Sequence, residues 1–285
     1  MHIISVCHRR DLWIWRYSQH YIAKNIEADA FSLIVDDCDY DLFSIFTTSP
    51  AWKVVRSSDV IGSDFSKNLK SALLCCRDKL NFGWYWQQYL KIEFILQQQS
   101  SLCVVWDADT LPFRRLSFPS NVLGFYSRSS EHHAPYWRLN ATLLGEKYGC
   151  YPGFSFISQY IGVQSDVLAE MVAQINSRFS VSDWKTATLA ILPTLQSRHR
   201  FSEYELIGSF AMNSISASMF VETNFKWLRN GSSFIGHPLF PDFSHFVDYD
   251  FAAFERRDLP AWSYRSDWTS RLISRLLSET ATWLR

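Results

Sequence analysis

Glycine and proline are scarce, 10 and 9 among 285 residues, which excludes collagen-like, linker-rich and low-complexity architectures. Net charge is missing as well: 28 Lys and Arg stand against 28 Asp and Glu, so no bulk polyelectrolyte partner is implied and nucleic acid drops out as the main ligand. The chain has no uninterrupted apolar run of about 18 residues, as a membrane span requires. Its N-terminus lacks a basic segment followed by a secretory apolar stretch. The six cysteines, Cys7, Cys38, Cys75, Cys76, Cys103 and Cys150, show neither CxxC nor Cys/His zinc spacing, and several lie in strand-like apolar runs where a buried free thiol is the simplest reading. These absences predict a protein of the reducing cytoplasm without a membrane span. GxGxxG, Walker A, HExxH and GxSxG sequences are absent too, which removes the dehydrogenase, P-loop and serine-hydrolase readings.

What is present is apolar and aromatic. Hydrophobic residues make up 47% of the chain, ample for one compact body of one large domain or two intimate ones. The 22 Phe, 13 Tyr and 12 Trp exceed what a core alone claims, and aromatic faces suit sugar rings and bases as well as protein partners.

Strand and helix signals alternate. His2 to Cys7 is a short apolar run closed by the polar cluster His8 to Asp11, and Leu12 to Ile26 reads as an aromatic-rich helix. Ala30 to Val35 reads as a buried strand stopped by Asp36 and Asp37, Tyr40 to Phe46 as a short helix, and Trp52 to Arg56 as another strand. Alternation of this kind predicts an α/β fold with a mostly parallel central sheet flanked by helices, and such sheets bind ligands beyond the carboxyl ends of their strands. Gly83 to Gln99 is the clearest helix; Gln87, Lys91 and Gln98 form one narrow polar stripe, expected to face outward.

The apolar run Leu102 to Trp106 then ends abruptly in Asp107-Ala108-Asp109-Thr110. In extended backbone residues i and i+2 point the same way, so Asp107 and Asp109 can converge on one cation. Oxygen ligands of this kind suit Mg²⁺ or Mn²⁺ shared with substrate phosphates. Pro112 keeps the pair on a loop.

At this point the chain resembles a GT-A-type nucleotide-sugar glycosyltransferase. "CVVWDADTLPF" is similar to the strand and DxD turn of glycogenin-like enzymes, and "GWYWQQYLKI", "WDADTLPF", "SFISQYIGV" and "FSEYELIGSF" resemble blocks of an uncharacterised bacterial family of surface-polysaccharide sugar transferases. The resemblance implies a GT-A-like (Rossmann-like) single compact domain and a nucleotide-sugar donor held through Mn²⁺ or Mg²⁺ on Asp107 and Asp109. It implies that Lys91 reaches the donor phosphates, that Asp36 and Asp37 hold the base or ribose beside His8 and Arg9, with Gln87 on the Lys91 helix, and that His237 completes the metal shell. Asp36 and Asp37 read equally as turn formers or helix caps, and His237, with no motif around it, as a structural histidine.

Residues 1–125 would then form the donor half, 126–240 the acceptor half and 241–285 a helical tail. Phe154 to Val163 reads as a strand and Asp166 to Ile175 as an amphipathic helix. Ser202 with Glu205 reads as a capping box, in which Glu205 bonds back to the Ser202 amide. Glu203 is left for chemistry: a carboxylate at a helix N-terminus is expected to have a low pKa and to serve as the base for an acceptor hydroxyl, as in inverting GT-A enzymes, with Glu205 the second candidate. Inversion is favoured slightly over retention. The acceptor would be a saccharide or lipid-linked saccharide, and the tail, with Trp268, Leu272, Ile273, Leu276 and Leu277 at helical spacing, either packs on the core or lies on the inner membrane surface. Two other functions fit the same residues. A phosphatase-like hydrolase would use Asp107 as nucleophile, although Leu111 stands where the haloacid dehalogenase pattern has Thr or Val. A non-catalytic carbohydrate-binding protein would use the aromatics alone.

Overall fold

The computed structural model describes residues 1–75, 81–99, 101–194, 200–214, 219–238 and 240–259, the side chain of His237 excepted. The strands are β1 His2–Cys7, β2 Ala30–Val35, β3 Trp52–Arg56, β4 Leu102–Trp106, β5 Thr110–Pro112, β6 Gly124–Tyr126, β7 Tyr160–Gln164, β8 Phe220–Glu222, β9 Trp227–Leu228, β10 Gly236–His237, β11 Phe240–Pro241 and β12 Phe251–Ala253. The helices are α1 Leu12–Asn25, α2 Tyr40–Phe46, α3 Ser57–Val60, α4 Ser63–Cys75, α5 Phe82–Leu96, α6 Ala134–Leu144, α7 Ser165–Phe179, α8 Trp184–Ile191 and α9 Glu203–Ser214.

Seven strands form one sheet in the order β3-β2-β1-β4-β7-β6-β8. The run β3-β2-β1-β4 is parallel throughout, β7 is antiparallel to both its neighbours, and β8 runs parallel to β6. The expected mostly parallel α/β sheet is therefore the fold. Its strands are apolar on both faces because helices cover both. Ile3, Val104 and Trp106 pack with α1 and α2 residues such as Leu12, Trp15 and Phe43 on one side. Ile4, Cys103 and Val105 meet residues of α4 to α9 on the other. The aromatics are largely core: Trp13, Trp15, Trp106 and Trp184 are among the largest fully buried side chains.

The chain moves outward from β1 to β3 and returns to place β4 on the far side of β1. That reversal is the switch point at which loops leaving the two central strands diverge and open a crevice. The loops in question are His8 onward and Asp107 onward.

One sequence expectation changes. The strand read from Phe154 shrinks to Tyr160–Gln164, because Ser155 is held in an isolated bridge with Ser129 and its hydroxyl donates to Glu205. The described part of the tail, 241–259, holds β12 and the short 3-10 turns Ser244–Phe246 and Arg256–Asp258. There β12 pairs with β5 and β9 in a small second sheet that packs on α1 through Trp13, Ile14, Leu111 and Ala252. The proposed helix from Ser266 lies outside the described residues. Among the described residues no helix is long and apolar enough to cross a membrane, and Cys7 and Cys103 are buried free thiols while Cys38, Cys75 and Cys150 are exposed ones.

The α9 crossing over the sheet is close enough to require glycine: a Cβ on Gly208 would sit 2.2 Å from the Phe156 ring. Gly208→Ala is expected to lower the unfolding free energy by about 1–3 kcal/mol through overpacking, whereas Gly62→Ala, with nothing within 4 Å of its Cβ, should leave the urea midpoint unchanged or raise it.

Candidate functional site

The crevice at the switch point is a cleft of about 720 Å³. Its centre is the turn leaving β4, and the backbone of that turn is bonded carbonyl by carbonyl. Ser5 Oγ donates to Trp106 O at 2.7 Å, Thr110 N to Asp107 O at 3.0 Å and Ser18 Oγ to Ala108 O at 2.6 Å. Phe254 N donates to Asp109 O at 2.8 Å and Trp106 Nε1 to Thr110 O at 2.9 Å. A buried turn with no orphan carbonyl has one conformation available, so Asp107 and Asp109 are both held against the cleft.

Lys91, from α5, lies beneath Asp107. Its Nζ donates to Asp107 Oδ1 at 2.7 Å and to Glu203 Oε1 at 2.6 Å, and it sits 4.9 Å from the centre of the Tyr204 ring. Lys91 is 2% exposed, Glu203 1% and Asp107 23%. The outward-facing polar stripe predicted for this helix is therefore corrected: Lys91 is buried and Gln87 is half-buried in the cleft wall. The reason is tertiary, since the end of β4 and the start of α9 bring two carboxylates to that face. Burial opposes the Lys91 charge, but Asp107 and Glu203 outweigh it and hold the ammonium well above its ordinary pKa.

Glu203 is the first residue of α9, and its amide donates to Gln88 Oε1 at 3.0 Å. The low pKa expected for it is also corrected. Burial pushes it up and the Asp107 charge adds to this, while Lys91 pulls the other way. Its Oε2 is buried without a hydrogen-bond partner. Glu205, the second candidate base, points away from the cleft: Ser155 Oγ and Phe156 N donate to its Oε1. Half of the predicted capping box exists, the Glu205 amide donating to Ser202 Oγ at 3.4 Å; the carboxylate goes to Ser155 and Phe156 instead of returning to the Ser202 amide.

Asp109 is half-buried in the cleft beside other carboxylates. Burial raises its pKa well above the carboxylate range, and Asp107, Glu255 and Asp11 add to the rise. Of the other predicted residues, His8 and Asp36 line the cleft, and Asp36 accepts from Trp86 Nε1 at 3.2 Å. Arg9 and Asp37 do not. Arg9 turns to Asp39 at 3.8 Å because His8 Nδ1 accepts from Arg10 N and tightens the turn, leaving Arg10 in the cleft. Asp37 accepts from Ser57 Oγ and Ser58 N and so holds the start of α3, twenty residues on, and not the helix that begins at Tyr40. His237 belongs to β10, paired with β11, and its side chain lies outside the described residues.

Sequence reasoning missed several cleft residues. Gln159 adopts φ +75°, rare for a residue with a side chain, and its carbonyl accepts from Asp107 N at 2.9 Å. Arg229 joins Glu131 and Glu255 across the mouth. Trp84 and Tyr136 stack along one wall. The aromatic excess was the one signal that could have pointed to the last pair; the others come from segments without a motif.

The fold and cleft define an α/β protein with paired carboxylates at the sheet switch point. Residues 8–224 match a family of unknown function (DUF6492), and the chain belongs to that family. No curated protein matches the chain. Among solved structures it is similar to mouse xyloside xylosyltransferase 1 in its apo form, with TM-score 0.49, 10% identity, and coverage of 91% of this chain and 98% of that one. It is also similar to the galactosyltransferase LgtC in complex with donor and acceptor sugar analogs, with TM-score 0.40, 8% identity, and coverage of 89% and 87%.

Removing one member of the buried ion cluster strands the others. Lys91→Met is expected to cost about 3–5 kcal/mol in urea unfolding, and in a double-mutant cycle with Glu203→Gln the combined loss should fall well short of the sum. Glu205 gives a pH signature. Burial lifts its pKa from 4.5 to about 7 despite the Ser155 and Phe156 bonds, so its contribution is fully present below about pH 4.5 and is lost as pH rises through about 7. The loss is on the order of 3 kcal/mol, and Glu205→Gln should flatten the fall in unfolding free energy between pH 4.5 and 8.

Proposed function

We propose that the protein is a glycosyltransferase that binds a nucleotide-sugar donor in the cleft and moves the sugar to a saccharide acceptor. The observation that carries this reading is the convergence of Asp107 and Asp109 with Lys91 and Glu203 at the carboxyl end of the central strand, inside a cleft large enough for a small-molecule ligand. Asp36, at the end of β2 and fixed by Trp86, supplies a carboxylate for ribose or base hydroxyls and amines.

The donor set suits Mn²⁺ or Mg²⁺. Asp109 is a half-buried carboxylate in the cleft, facing the charges of Asp107, Glu255 and Asp11, a charge balance that a cation relieves, and Asp107 gives only one oxygen to Lys91. Among the described residues no three His, Cys, Asp or Glu side chains are grouped to hold an ion by themselves, so Asp107 and Asp109 would form part of a shell finished by donor phosphates and water. Bound there, the cation would neutralise charge on the departing diphosphate.

The remaining work falls to the protein. Lys91, saturated by two carboxylates, acts here as the clamp that fixes Asp107 relative to Glu203. Glu203 receives the proton of the acceptor hydroxyl at Oε2, the oxygen left without a partner. Burial raises its basicity and Lys91 opposes the rise, and a carboxylate of raised basicity favours a general base. A direct displacement of this type inverts the anomeric centre. A role in surface polysaccharide synthesis, with a saccharide or lipid-linked saccharide acceptor at the inner membrane, accords with the sequence resemblance.

A thermal-shift panel of nucleotides and nucleotide sugars, with and without Mn²⁺, should single out one nucleotide whose stabilisation requires the metal and reaches about 2.7 kcal/mol at a hundredfold excess over Kd. Asp109→Asn should abolish that dependence together with metal-stimulated hydrolysis of the matching nucleotide sugar. Full metal-dependent turnover in this variant would show the site to be wrongly assigned.

A further inference from the structure

Glu205 is fully buried, and the proton transfer leaves it unused. Its Oε1 accepts from Ser155 Oγ and from Phe156 N at 3.2 Å. One turn further along α9, Gly208 leaves room for the Phe156 ring, so positions i and i+3 of one helix hold the same segment by its backbone and by its side chain. From α6, Asn140 Nδ2 donates to the Glu205 carbonyl at 3.0 Å. A carboxyl group is costly to bury, and the start of α9 does not require it, since the Ser202 hydroxyl already accepts from the Glu205 amide.

The segment so held runs into the cleft. Ser155 and Ser129 exchange both backbone bonds, at 2.9 and 3.0 Å, and the Ser155 hydroxyl also accepts from Ile157 N at 3.1 Å. Residues 156–159 are neither helix nor strand, yet Phe156, Ser158 and Gln159 are buried, and Ile157 and Gln159 line the cleft. Irregular backbone is uncommon inside a protein because its polar groups need partners. Gln159 has φ +75°, which a residue with a side chain keeps only where its surroundings impose it. The constraint comes from both sides: Glu205 fixes the chain at Ser155 and Phe156, and the pairing of β7 with β4 fixes it from Tyr160 onward. The Gln159 carbonyl then meets Asp107 N at 2.9 Å, one residue past the Trp106–Tyr160 pair.

We infer that Glu205 is a positioning residue for the acidic turn. By holding Ser155 and Phe156 it keeps Gln159 at positive φ, and the Gln159 carbonyl in turn fixes the Asp107 amide and the direction in which the Asp107 carboxylate enters the cleft. In this role the Glu205 carboxyl group acts only as a hydrogen-bond acceptor, so a carboxamide at the same position can replace it. That Asp107 helps to hold a cation rests on the glycosyltransferase reading; that Glu205 orders the turn rests on geometry alone.

Two measurements on the full chain test it: amide hydrogen exchange read residue by residue, and binding of Mn²⁺ in the presence of UDP or GDP. Ser155→Ala removes one of the two donors to Glu205 and touches no cleft residue. It should speed exchange at the Asp107 amide about fivefold or more relative to amides of β1 and β2, the scale of one hydrogen bond, and weaken Mn²⁺ binding by a similar factor. Glu205→Gln keeps an oxygen for both donors and should leave both readings close to wild type. Adding Gln159→Gly to Ser155→Ala should recover most of the loss, because glycine takes positive φ without help from its surroundings. Unchanged exchange at Asp107 in Ser155→Ala overturns the proposal, and so does an equal rise at every amide, which would be global destabilisation. Faster exchange at Asp107 with undiminished Mn²⁺ affinity overturns it as well. A selective rise at Asp107 in a protein whose wild type binds Mn²⁺ with neither nucleotide would uphold the positioning role and defeat the metal-dependent transferase reading instead.

Discussion

A single buried ammonium organises this molecule's cleft. Lys91 has almost no contact with solvent, and a lone charge in that position would lose its proton or expel its segment. It stays charged because Asp107 and Glu203 each give it an oxygen. Those carboxylates come from the end of β4 and the start of α9, nearly a hundred residues apart in sequence, so the ion cluster ties distant parts of the chain together in the cleft. Such a cluster contributes little net stability, because desolvation consumes most of the attraction. What it supplies is geometry.

The turn that presents Asp107 is fixed by an independent set of bonds. Side chains from β1 and α1, an indole from β4 itself and an amide from the segment after β12 satisfy its carbonyls one by one. The directions of Asp107 and Asp109 are therefore set by the backbone of the turn.

One helix addresses much of the cleft. Along α5, Trp86 meets Asp36, Gln88 and Lys91 meet the start of α9 and the acidic turn, and Trp84 stacks on Tyr136. The bridge from Arg229 to Glu131 and Glu255 lines the same cleft.

Composition and periodicity alone determined much here. Apolar runs closed by polar residues located β1 to β4, their alternation with helices dictated the parallel sheet, and Asp107 and Asp109 were legible because a charged pair ending a buried run has few structural uses. Glu203 was found by elimination, with the wrong expectation for its acidity, because a helix start says nothing about how deeply it will be covered. Only the tertiary structure decided that Lys91 faces inward, that Asp37 holds the start of α3 while Asp36 enters the cleft, and that Arg10 takes the place expected of Arg9. It also decided that Gln159, Arg229 and Trp84 belong to the site. The physical reason is range: hydrophobic period and turn chemistry act over a few residues, whereas the side on which a polar group finds a partner depends on charges and carbonyls brought from distant parts of the chain.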